Sequence, residues 1–136
     1  MQLMTNHLRA GLIAGLGIFM MTASAAAQAA LAVSIGGGSS TIGQTETHTF
    51  PTNTAVVTGG SGSYTFMWSP SVTGLGHWGS GSGQTYSPTV TIYTYCEDST
   101  AVYTVTVTDQ VTGQVASSNA ATYYYDYYEI PGRICP

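Results

Sequence analysis
An all-β fold, a single antiparallel sandwich of about seven short strands behind an N-terminal leader, is what this chain predicts. Three observations carry the prediction. Apolar and polar residues alternate at period two in Tyr64-Thr-Phe66-Met-Trp68 and again in Tyr103-Thr-Val105-Thr-Val107, the spacing of strands with one buried face. Clusters of Gly, Ser, Asn, Asp and Pro separate such segments at short intervals, which is the punctuation of turns. After residue 29 there is no helical periodicity and no cap followed by an apolar run. No internal repeat of roughly 20–50 residues argues for a propeller or solenoid.

The elements follow in order. Met1 to Ala10 is a short start carrying Arg9, Gly11 to Met21 is an apolar run, and Thr22 to Ala29 is a tail of small residues. These are the three regions of a secretory signal peptide. The favoured cleavage follows Ala29, with Ala25 and Ala27 as alternatives. A membrane span needs about 20 apolar residues, which this run reaches only by absorbing Thr22, Ser24 and Gln28. Leu31-Ala-Val33-Ser-Ile35 can be a first strand, broken by Gly36 to Ser40. Thr45 to Thr58 is extended and interrupted by Pro51, which removes a ladder donor and marks an edge, kink or strand switch. Tyr64 to Ser69 is a strand with Tyr64, Phe66 and Trp68 inward and Met67 outward. Gly74 to Gly83 is a glycine-rich loop. Thr85 to Thr94 is a strand with Val90 and Ile92 on the core side, and Cys96 to Ser99 turns. Ala101 to Thr108 is the cleanest strand, Asp109 to Gly113 a hairpin turn, and Gln114 to about Tyr125 returns antiparallel. The expected organisation is a signal peptide over 1–29, an N-terminal strand and Gly/Ser-rich segment over 30–44, the sandwich over 45–125 and a tail over 126–136. The leader implies a secreted, periplasmic or cell-surface protein, with a bacterial source favoured.

Charge narrows the partners. The segment after residue 29 has no Lys, and Arg133 is its single strong cation. Against it stand Glu46, Glu97, Asp98, Asp109, Asp126 and Glu129, so one cation minus six carboxylates leaves −5. Nucleic-acid backbones and anionic lipid are recognised through clustered Lys and Arg, so neither is an expected partner. No membrane insertion is expected once the signal is cleaved.

Val90, Ile92, Tyr95, Ser99, Ala101, Tyr103 and Val105, with Trp68 upstream, resemble the E–F corner and core Trp of the immunoglobulin-like superfamily. Ala55 and Val105 stand where that family places its sheet-bridging cysteines, and Ser99 where it places a corner Asp, with Asp98 beside it. The Gly59 to Trp68 segment together with Tyr103 to Asp109 also looks like bacterial PKD-like domains. The resemblance covers roughly residues 45–125 and implies fold rather than activity. It assigns Trp68, Tyr103 and Val105 to the structural core, with the Tyr103 hydroxyl folding back onto backbone a few residues earlier. It also brings the tail to the end of the domain that holds Cys96. In an oxidising compartment, a disulfide between Cys96 and Cys135 is then expected.

Candidate ligand-binding residues are His77, Trp78, Tyr124, Tyr127 and Tyr128. In the run Tyr123 to Tyr128, alternate side chains point oppositely, so both sets cannot enter one core. Some tyrosines are then exposed, or covered by the tail or by a partner. Tyrosine pairs a flat apolar ring with a hydroxyl, which suits sugar and protein surfaces. A final strand shielded by the tail is the competing reading. Trp78 can stack on a ligand or fold down as a lid. Glu97, Asp98, Asp126 and Glu129 gather at one end, as solvated acids beside Arg133 rather than as a calcium site. Enzyme signatures such as Gly-x-Ser-x-Gly and His-Glu-x-x-His are missing, so no catalytic residue, metal site or cofactor is expected. The function expected is a secreted or cell-surface binding or adhesion module for protein or carbohydrate. The alternative is a self-assembling structural subunit of a surface layer or filament.

Overall fold
The computed structural model describes residues 28–128. The expected signal peptide lies outside them apart from Gln28 and Ala29, and so does the chain from Glu129 onward, including Arg133 and Cys135. Among the described residues there is no helix. The strands are β1 (Ala32–Ser34), β2 (Ser39–Gly43), β3 (Thr47–Thr49), β4 (Asn53–Thr54), β5 (Val56–Thr58), β6 (Tyr64–Gly74), β7 (His77–Trp78), β8 (Gly81–Ser82), β9 (Thr85–Tyr86), β10 (Thr89–Thr91), β11 (Glu97–Asp109), β12 (Val115–Ser117) and β13 (Ala121–Tyr127).

The fold is all-β. The largest sheet runs β2-β13-β11-β6-β8, with β12 also on β11. The other strands form three small sheets, β1-β5, β3-β10-β7 and β4-β9. Every pairing is antiparallel except β2 with β13, which is parallel. Ring contacts join the two sets of strands. His48 of β3 stacks on Tyr125 of β13 at 5.0 Å, Phe50 meets Tyr123 edge-on at 5.1 Å, and Tyr86 of β9 lies 5.9 Å from Trp68 of β6. This is an arrangement compatible with a β-sandwich.

β11 organises the core. Ala101, Tyr103, Val105 and Val107 are fully buried on one face, while Thr100, Thr104, Thr106 and Thr108 take the other. That is the alternation of a central strand with one wet face. Trp68 sits opposite Val105 in the register, is 1 % exposed, and donates its indole N–H to the Gly83 carbonyl at 2.9 Å.

Several expectations are corrected. The turn before β11 is shorter than Cys96 to Ser99, because Glu97, Asp98 and Ser99 already pair with Tyr127, Asp126 and Tyr125. Cys96 turns the chain at a φ of 62° and donates its amide to the Tyr127 carbonyl. β6 runs on through Pro70 to Gly74. β8 pairs only with Met67 and Trp68, so beyond them β6 is an edge, where a missing N–H breaks no ladder. The strand expected over Thr85 to Thr94 is split at Pro88 into β9 and β10.

Residues 30–44 supply β1 and β2, and the chain crosses from one set of strands to the other between them. Two asparagines hold the crossing. Asn119 accepts from the Ile35 amide at 2.9 Å and donates to its carbonyl at 3.0 Å. Asn53 does the same for Gly36, at 3.0 and 3.2 Å. Each amide side chain pairs with the backbone as a neighbouring strand would, in a stretch that has none.

Candidate functional site
The outer face of β13 carries the site. Alternation along the strand sends Tyr123, Tyr125 and Tyr127 inward, each no more than 3 % exposed. It sends Tyr124 and Asp126 outward, with Tyr128 just past the strand end. The β11–β13 register places Asp98 directly opposite Asp126. Cys96, Asp98, Tyr124, Asp126 and Tyr128 line a cleft of about 340 Å³.

Its electrostatics are one-sided. Like charges facing one another across a strand pair repel, and no Lys or Arg stands among the described residues to offset them. Tyr124 donates its hydroxyl to Asp98 Oδ2 at 3.1 Å. Burial, then the Asp98 hydrogen bond and charge, then the Asp126 charge push the Tyr124 hydroxyl above the ordinary tyrosine range. The cleft therefore offers carboxylate acceptors beside two aromatic rings. That chemistry receives hydroxyl or amine donors and stacks against C–H surfaces.

The other expected residues lie elsewhere. Tyr127 is 3 % exposed and packs beside Tyr95 at 5.1 Å, so it is no part of the cleft; the strand alternation that exposes Tyr124 buries it. Trp78 folds down as the lid. It donates to Ser99 Oγ at 2.8 Å, lies parallel to Phe50 at 5.7 Å and meets Tyr103 edge-on. His77 is exposed beside the exposed Tyr93, ring to ring at 5.6 Å, away from the residues of the cleft. The Tyr103 hydroxyl does not close its own corner. It donates to the Gly79 carbonyl in the glycine-rich loop, because the ring points across the interior between Tyr86, Trp78 and Tyr123. Cys96 is not a free thiol. Its expected partner Cys135 lies outside the described residues.

A second cavity, of about 290 Å³, is lined by Gly36, Gly37, Gly38, Ser39, Pro51, Thr52, Asn53 and Tyr123. Sequence reasoning passed over it. The glycines read as a break and Pro51 as an interruption, and nothing in either segment says that the two face each other. The one local signal is Asn53, an amide side chain two residues after Pro51 in the Thr-rich extended stretch.

No family model, curated protein or solved structure matches the chain.

Proposed function
We propose that the chain is an exported, immunoglobulin-like binding module that holds a carbohydrate in the Tyr124 cleft. The observation that carries the reading is the meeting of Asp98, Tyr124, Asp126 and Tyr128 around one opening on an exposed sheet face. Carboxylates accept from sugar hydroxyls and tyrosine rings cover the apolar face of a pyranose. The immunoglobulin-like assignment is supported by the complete burial of Trp68, Tyr103 and Val105, the residues on which the resemblance turns.

The test is titration of the full exported chain with oligosaccharides chosen from a glycan array. Tyr124→Ala and Asp98→Asn are each expected to weaken binding at least tenfold with circular dichroism unchanged. Binding indifferent to both substitutions, or no glycan bound at all, refutes the reading.

Self-assembly has one observation in its favour. β2 is the end strand of the largest sheet, and Ile42 on it is 69 % exposed; exposed apolar edges pair readily with another chain. Sizing chromatography over a range of concentrations decides: a monomer throughout supports the binding module, and concentration-dependent polymers support assembly.

A further inference from the structure
The second cavity lies on the opposite face of β13 from the Tyr124 cleft and shares no residue with it. Its walls are the Gly36–Ser39 crossing and the Pro51–Asn53 break in the extended segment, and none of its lining residues carries a charge.

Tyr123 is the residue that matters there. It is 3 % exposed, and its hydroxyl accepts a hydrogen bond from Asn53 Nδ2 at 2.9 Å. Among the described residues that hydroxyl has no acceptor for its own proton. Asn53 cannot take it, because the whole Asn53 amide is engaged. Its Oδ1 accepts from the Gly36 and Thr54 amides, and its Nδ2 donates to the Gly36 carbonyl and to Tyr123. Asn53 thus fixes the position of the phenol oxygen and leaves one O–H as the unused donor in the cavity. Buried donors are normally satisfied, by protein, water or ligand. Gly37 in its wall has room beside it, since a Cβ placed there would meet nothing within 4 Å.

We propose that this cavity is a second binding site, for one uncharged sugar unit, with Tyr123 donating to a ring or hydroxyl oxygen of the ligand. The volume suits a single ring rather than a lone water, whose share of liquid is about 30 Å³. The Ser39 and Thr52 side chains bring further hydroxyls, and the Pro51 ring brings an apolar surface. A charged ligand would find no counter-charge here. The inference shares its ligand class with the Tyr124 cleft but uses none of its residues.

The experiment is NMR titration of the full chain with neutral monosaccharides (glucose, galactose and N-acetylglucosamine), with galacturonate as the charged control. Amide shifts at residues 36–39, 52 and 53 are expected to move saturably with a neutral sugar and not with galacturonate. Gly37→Leu, which places a side chain in open space at the cavity, is expected to weaken that response at least tenfold and to leave Tyr124→Ala-sensitive binding intact. Tyr123→Phe also strips Asn53 of a partner, so Gly37→Leu, its fold checked by circular dichroism, is the deciding variant. Shifts abolished by Tyr124→Ala but untouched by Gly37→Leu overturn this inference and leave the cleft reading standing. Shifts abolished by Gly37→Leu but not by Tyr124→Ala support it, and the cleft is then judged by its own titration. No saturable shift at 36–39, 52 and 53 with any of the three sugars overturns it.

Discussion

Asp109 is fully buried, yet no Lys or Arg lies among the described residues to pair with it. Burial alone would raise its pKa. The Thr112 amide, the Ser61 hydroxyl and amide, and the Val111 amide outweigh that and hold the carboxyl well below the usual range. Their distances run from 2.5 to 3.0 Å. One side chain thereby joins the 59–63 turn to the 109–113 hairpin. A depressed folded-state pKa adds stability that is present above the unfolded value of about 3.9 and is lost as pH falls below it. Urea midpoints for the wild type are therefore expected to fall between pH 5 and pH 2, while Asp109→Asn starts lower and changes less; parallel profiles would refute the assignment. Tyr103 works in the opposite limb. Burial first, then Tyr86 and Tyr123, push its hydroxyl far above the ordinary range. Its contribution is whole below about pH 10 and is lost as pH rises above that. Tyr103→Phe leaves the Gly79 carbonyl without its donor and is expected to lower stability by about 1–2 kcal/mol, read from chemical denaturation at neutral pH. That Tyr103 would be buried was legible from its period-two setting in β11. Its partner was not, because Gly79 comes 24 residues earlier in a loop with no pattern of its own.

Among the elements, the crossing between β1 and β2 is the most sensitive to substitution. A Cβ on Gly38 would lie 1.5 Å from the Thr122 carbonyl oxygen, whereas Gly37, next to it, has open space. Backbone cannot retreat as a side-chain tip can. Gly38→Ala is thus expected to cost about 3 kcal/mol or more, by prising β2 from β13, while Gly37→Ala stays within about 0.5 kcal/mol. A thermal-melt comparison of the two variants is decisive, and equal losses would contradict the close approach. The strands themselves were legible to differing degrees. β11 and the Tyr64–Trp68 part of β6 follow from alternation, and Pro51 does mark a break between β3 and β4. The extension of β6 past Pro70 was hidden, because proline's effect depends on which flank of the strand is open. β13 was visible as a strand, and its alternation separated Tyr124 and Tyr128 from Tyr123, Tyr125 and Tyr127. Which set faced inward was a tertiary matter: Phe50 and His48 cover Tyr123 and Tyr125.

At the scale of the whole molecule, the N-terminal chain bears on export. The Ala29 carbonyl accepts from the Gly60 amide. A cut after Ala27 retains that contact, and a cut after Ala29 removes it. The favoured cut predicts an exported chain beginning at Ala30 by mass spectrometry, and a start at Gln28 would select the Ala27 alternative instead. The Cys96–Cys135 pairing stays a proposal. It would close a loop of roughly 40 residues and add about 4 kcal/mol in the chain-entropy model, so reductant should lower the urea midpoint of the wild type but not of Cys135→Ser. Local pattern settled that this chain is all-β, where its strongest strands run and which of its tyrosines share a side, because period-two alternation is a property of neighbours in the chain. Tertiary structure alone decided that Asp98 meets Asp126 beside Tyr124, and that Asn53 and Tyr123 face the Gly36–Gly38 crossing. The two sites join Asp98 to Tyr124 across 26 positions and Asn53 to Tyr123 across 70, and the pairing of distant strands, which no local spacing encodes, sets those meetings.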